Sequence, residues 1–186
     1  MVDEIFSQVS DRMIVGLMTH SQLADYFGFL GFEGYQQCHL YHFFEENCNY
    51  KKIAKYYLKH YSKILIERPF QNPNIIPKDW WQYTREQVRN DVRKNAIQAG
   101  FDKWVNWEKE TKKFYEMQYQ NLVKENEISG AEELAKYITD VDYELAEAEQ
   151  KRIELMGMDY SVLDIMMQQK EIKRRYKKKM KEIELC

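Results

Sequence analysis

Apolar positions along the chain recur at intervals of three and four, and no stretch alternates as a strand would. Ile5, Val9, Met13, Val15 and Leu17 predict a short helix over 3–18. A longer one over 21–46 carries Leu23, Tyr26 or Phe27, Leu30, Glu33, Gln37, Leu40 and Phe44 inward. Residues 51–66 continue with Ile53, Tyr57, His60, Ile64 and Glu67, a polar helix is expected over about 80–98, and 101–126 places Phe101, Trp104, Glu108, Thr111, Tyr115 and Leu122 on one face. Residues 131–156 repeat the pattern with Leu134, Ile138, Val141, Leu145, Ala148 and Leu155, and a last helix runs over 160–183.

Breaks in the pattern set the connections. EENCNY (45–50) predicts a tight turn, the prolines of ERPFQNPNIIPKD (67–79) forbid a helix, and Gly100 and Gly157 are expected as stops. Ser129 and Glu132 have capping-box spacing, and Asp159 or Ser161 can cap the last helix. Gly28, Gly31 and Gly34 are expected to form a smooth ridge on one helix. The expectation is a single all-α domain over 1–186, with core hairpins 21–66 and 101–156 and a crossover over 67–100. A four-helix bundle with one long crossover and short terminal helices satisfies it.

Composition narrows the class. The chain has 186 residues, enough for one domain with a core, and 14 tyrosines whose hydroxyls need partners when buried. Three cysteines without a C-x-x-C pair argue against a disulfide framework or zinc knuckle and for a reducing cytoplasm. The acidic start has no apolar signal region, and no apolar run is long enough to span a membrane. Usage rich in Lys, Asn, Ile and Tyr fits an AT-rich genome, a phage genome included. Charge is uneven. KEIKRRYKKKMK (170–181) holds eight basic residues and one Glu, leaving 20 basic and 29 acidic residues elsewhere. Lys173, Arg174, Arg175, Lys177, Lys178 and Lys179 are therefore expected to dock on the acidic body or to bind an acidic partner or nucleic acid. An exposed Trp80–Trp81 pair would be a docking hot spot, and a buried one would pin the crossover.

Polar residues on apolar faces are the candidate chemistry, because a buried carboxylate or imidazole needs a partner or a metal. Glu33, His60, Glu67 and Glu108 are expected inward, with Asp140, Asp142 or Glu144 facing them from the next helix. They form either a self-satisfied polar network with Tyr57 and Tyr115 or a metal site. His39, His42 and Glu46 are placed on the opposite, outer face, and His20 beside a helix cap. No phosphate loop, nucleophile elbow or Cys–His pairing is present, so no small-molecule substrate is indicated.

Two stretches resemble the ferritin-like superfamily. IAKYYLKH (53–60) is similar to its second bundle helix. WEKETKKFYEM (107–117), AEELAKYI (131–138) and RIELMGMDYSVLDIMMQQKE (152–171) are similar to its third and fourth helices, the following turn and the start of a fifth helix. The resemblance implies a dinuclear iron centre of carboxylates and one imidazole: a Glu, a Glu-x-x-His pair, a Glu, and a further carboxylate or Gln. Glu33 and Glu108 answer two of these places. The pair is missing, because the expected stretch reads Ile64-Leu65-Ile66-Glu67, with His60 one turn earlier. The first expectation is therefore a non-enzymatic interaction or self-associating protein on a ferritin-like scaffold, its metal centre lost. The alternative is an iron-binding, ferroxidase-like member with an altered ligand set, zinc being the other metal considered. Nucleic-acid association through 170–181 is the third.

Overall fold

The computed structural model describes residues 2–65, 73–77 and 84–183. Five helices carry the fold: α1 (Val2–Phe29), α2 (Glu33–Tyr61), α3 (Asn90–Lys124), α4 (Ile128–Gly157) and α5 (Val162–Ile183), with a 3-10 turn at Arg85–Gln87. All regular structure among the described residues is helical, and no helix is long and apolar enough to cross a membrane.

α1 and α2 form one antiparallel hairpin: Phe6 packs on Tyr57, His20 on His39 and Phe27 on Tyr35. α3 and α4 form the other, tied by Arg152–Asp102, Lys109–Glu149 and Lys112–Asp142 pairs along its length. α5 runs parallel to α2. Gln169 accepts from the Gly34 N–H at 2.8 Å, and Tyr176 packs on Tyr41 further along. Its buried stripe is Ile165, Gln169, Ile172 and Tyr176, spaced four, three and four. Ser161 caps it, accepting from the Asp164 N–H at 3.4 Å.

The helix boundaries correct the expected hairpin 21–66. The reversal lies at 30–32, and EENCNY is continuous helix inside α2. Gly31 has φ +89°, Phe32 N–H donates to Phe27 O at 2.9 Å, and Gly31 N–H donates to Gly28 O at 3.1 Å. This is a Schellman stop, with Phe27 and Phe32 both buried beside it. Asn and Cys lower helix propensity by only tenths of a kcal/mol each, and burial of Glu46, Cys48 and Asn49 outweighs that. The glycine ridge is not formed, since Gly31 lies in the turn. The same stop recurs at Asn126, φ +59°, and Asp159, φ +48°, so Asp159 rather than Gly157 holds the left-handed position after α4.

Gly100 is a second correction. α3 passes through it unbroken, because the ring of Phe27 lies where a side chain would be; a Cβ there would sit 2.8 Å from Phe27 Cζ. The expected separate helix over 80–98 is thus partly the first turns of α3; Trp80 and Trp81 lie outside the described residues. The Ser129–Glu132 capping box does not form: α4 starts at Ile128, and Ser129 Oγ bonds Tyr56 OH at 2.9 Å. Cys38 is free and buried.

Two apolar clusters fill the bundle. One gathers Leu23, Phe27, Phe32, Tyr35, Phe101, Trp104 and Leu155. The other gathers Phe6, Val9, Met13, Ile53, Tyr115, Leu122 and Leu134. Between them every helix of the bundle contributes a buried polar residue.

Candidate metal centre

His20 from α1, His39, His42 and Glu46 from α2, Glu108 from α3 and Glu144 from α4 are all buried in that middle layer. Each helix places its residue by ordinary periodicity. Glu108 is one turn from Trp104, and Glu144 lies between Val141 and Ala148 on the buried face of α4. On α2, His39, His42 and Glu46 follow at three and four and share the inner face.

The layer holds two overlapping groups. His20, Glu108 and Glu144 bring one ligand atom each within 4.8 Å of one another, and so do His42, Glu45 and Glu144. Glu144 belongs to both. His20 Nε2 is 3.4 Å from Glu108 Oε1, an oxygen that already accepts from Trp104 Nε1 at 3.0 Å. His42 Nδ1 is 3.2 Å from Glu45 Oε2 and 3.7 Å from Glu144 Oε2. Glu45 also accepts from Tyr41 OH at 2.9 Å.

Five atoms here have no hydrogen-bond partner among the described residues: His20 Nε2, His39 Nε2, His42 Nε2, Glu108 Oε2 and Glu144 Oε2. Burying such atoms unpaired is costly, about 1–3 kcal/mol each for neutral groups and more for charged ones. The charges register the deficit. Burial, and then the like charge of Glu108, hold the Glu144 carboxyl well above the usual carboxylate range, with His42 opposing. Burial, Glu108 and Glu45 push Glu46 up to about 8. Burial alone would lower His42, but Glu144 and Glu45 carry it well above its ordinary value. Burial lowers His20, against the pull of Glu108. Imidazole nitrogens and carboxylate oxygens in this number suit iron, zinc or manganese. The residues present therefore fit a bound cation, which would displace the protons that His42, Glu46 and Glu144 hold.

Several residues picked from the sequence lie elsewhere. Glu33 is exposed at the start of α2 and paired with Lys173, because the turn at 30–32 puts it on a new helix. His60 is exposed and stacked on Tyr56 at 4.2 Å. Ile64 and Leu65 follow the end of α2, and Glu67 lies outside the described residues. Asp142 is on the surface with Lys112 at 2.5 Å. Glu108 and Glu144 are the two that the structure brings together. His39 and His42, read as outer, and His20, read as lying beside a helix cap, are all buried inside helices. The signal was present: His39-x-x-His42 followed by Glu45 and Glu46 is a ligand-rich run on one helix. The misplaced turn hid its facing.

The basic segment divides in two. Lys173 pairs with Glu33, while Arg175 at 3.0 Å and Lys179 at 3.8 Å pair with Glu147, fastening α5 to the body. Arg174, Lys177 and Lys178 are exposed on the other side with Lys170 and Lys181.

No model of a known protein family matches the chain, and no curated protein matches it. Solved structures do. A humanized archaeal ferritin superposes with a TM-score of 0.76 at 15% identity, covering 92% of this chain and 94% of that one. An Archaeoglobus fulgidus ferritin engineered to a closed form gives 0.75 at 15%, covering 92% and 93%. An open pore ferritin from the same hyperthermophilic archaeon gives 0.75 at 15%, covering 91% and 93%. At that identity the likeness is one of fold, and it settles the architecture: the chain has the ferritin-like four-helix bundle with a further C-terminal helix.

Proposed function

We propose that this chain binds divalent transition-metal ions in the middle of its bundle, through a histidine-rich variant of a ferritin-like centre. One observation carries the reading: buried atoms of His20, Glu108 and Glu144 from three helices, unpartnered among the described residues, lie in one ligand group, and His42 and Glu45 of a fourth helix meet the same Glu144. His20, Glu108 and Glu144 would hold one ion, and His42, Glu45 and Glu144 a second. Iron is put first because the fold neighbours are named as ferritins; zinc fits the same donors. Bound iron would supply electron transfer to an oxidant. The side chains fix the donor geometry, keep water out with the rings of Trp104 and Phe27, and give up protons as the ion enters.

The test is metal analysis of untagged protein after anaerobic incubation with Fe(II). Near-stoichiometric iron, lost in Glu108→Ala and Glu144→Ala while the helical signal persists, supports the proposal. A wild-type protein that retains no iron or zinc overturns it. Light scattering on the same samples checks self-association.

A second reading rests on the outward basic row of α5. We propose that Lys170, Arg174, Lys177, Lys178 and Lys181 contact a polynucleotide backbone. Binding should fall steeply with salt and vanish in Arg174→Gln/Lys177→Gln/Lys178→Gln. Unchanged binding in that triple variant rejects it.

A further inference from the structure

His39 lies outside both ligand groups, yet it is fully buried and touches one of them. Its Nδ1 is 3.1 Å from Nδ1 of His20. A contact that short between two ring nitrogens needs one proton between them. One ring is the donor, and the other offers its lone pair.

The surroundings choose between the two arrangements. The His39 ring lies parallel to Phe27 at 5.3 Å and edge-on to Trp104 at 4.6 Å. Its Nε2 has no partner among the described residues. On the metal reading Nε2 of His20 is the atom that faces Glu108, so its lone pair must be free and the His20 proton must sit on Nδ1. His39 Nδ1, 3.1 Å from that proton's nitrogen, is then the acceptor, and the His39 proton belongs on Nε2. His20 Nε2 is 3.4 Å from Glu108 Oε1, outside hydrogen-bond geometry, and the oxygen is occupied by Trp104. The approach is wrong for a hydrogen bond and right for a third atom held by both.

We propose that His39 is a positioning residue: it accepts the Nδ1 proton of His20 and so commits the Nε2 lone pair of His20 to an ion shared with Glu108 and Glu144. This rests on the metal-binding reading above. A hydrogen bond behind a liganding imidazole fixes its tautomer and orientation, and its loss typically weakens metal binding 10–100-fold. Here the partner is a second histidine, neutral and enclosed by rings, where a carboxylate or backbone carbonyl is more usual.

The experiment uses Zn(II), which is diamagnetic, on the full chain. Nitrogen-15 NMR of the zinc-loaded wild type should show His20 protonated at Nδ1 and bound through Nε2, with His39 protonated at Nε2. His39→Leu should lose at least tenfold in zinc affinity. His39→Asn, whose side-chain oxygen can occupy the place of Nδ1, should stay within about threefold of wild type. The proposal is overturned if His20 binds zinc through Nδ1, or if His39→Leu binds as tightly as wild type. It is also overturned if a folded His39→Asn binds no better than His39→Leu. Should His39→Leu fail to fold, the wild-type tautomers and His39→Asn decide alone. A wild type that takes up no zinc or iron rejects the metal reading itself, and this inference with it. Zinc bound without any dependence on His39 rejects this inference only.

Discussion

Two polar regions lie one above the other inside the same bundle, and they are built on opposite terms. Around Arg12 the Nε and Nη2 donors are answered by the chain, although Trp107 Nε1 beside them has no partner among the described residues. The guanidinium donates to Thr111 Oγ1 at 2.8 and 3.0 Å and to Trp107 O at 3.4 Å, and it lies 3.8 Å over the Trp107 ring. Gln118 donates to Gln8 at 2.8 Å and accepts from Asn121 at 3.2 Å. Around Glu144, a short way along the bundle, imidazoles and carboxyls face one another, and Glu108 Oε2, Glu144 Oε2 and the Nε2 atoms of His20 and His42 have no partner among the described residues. Burial and tertiary setting are alike, so neither separates structural polarity from a binding layer. What separates them is whether the hydrogen bonds close within the chain.

Breaking the closed region should cost the most. Arg12→Leu removes a half-buried cation and its bonds to Thr111 and Trp107 O, so urea unfolding should show a loss of about 3 kcal/mol. Its metal content should not change. Completing the open region should have nearly as large an effect with the opposite sign. At a free ion concentration 100 times Kd, the unfolding free energy should rise by about 2.7 kcal/mol and the melting temperature should follow. No shift with Fe(II), Zn(II) or Mn(II) would erase the contrast between the two regions.

Glu144→Gln sharpens it further. The raised carboxyl of Glu144 costs the folded state stability as pH rises above the ordinary 4.5. Metal-free Glu144→Gln should therefore be more stable than wild type near neutrality, by about 1 kcal/mol, with the gain fading toward pH 4. The same variant should lose the stabilisation by metal. A destabilised Glu144→Gln would class the layer with the closed region.

The smallest effect is expected at Glu147, outside both. Burial alone would raise its carboxyl, but Tyr176, Lys179, His42 and Arg175 together hold it below the ordinary value. Its stabilising pairing is then fully present above pH 4.5 and is lost as pH falls through the lower folded value. Glu147→Gln should remove under about 1 kcal/mol at pH 7 and flatten that part of the acid limb. Circular dichroism against pH checks it.

The fold was legible where periodicity is long and uninterrupted. Glu108 sits on a stripe defined by Trp104 and Thr111 and is placed inward by the sequence, while Glu144, between Val141 and Ala148, stood there as one of three candidates with Asp140 and Asp142. The turn between α1 and α2 was not legible. A Schellman stop depends on one left-handed residue and two backbone bonds, and three glycines in that stretch offered equal candidates. EENCNY has the composition of a turn but the burial of a helix, and burial is a tertiary fact. Once the reversal was misplaced by about one and a half dozen residues, every facing on α2 was assigned wrongly. Glu33 came inside, and the histidines went out. The error in the site was inherited from the error in the turn.

Glu144 stands in both groups, and that sharing has a thermodynamic consequence. On the metal reading, neither ion has a binding constant of its own. Filling one group repositions and partly neutralises the carboxylate on which the other depends, so the two occupancies are linked through one side chain. Linkage is reciprocal: whatever factor the first ion imposes on the second, the second imposes on the first. A titration of this protein should then be described by a pair of macroscopic steps and one coupling free energy, and Glu144 is the residue in which that coupling resides.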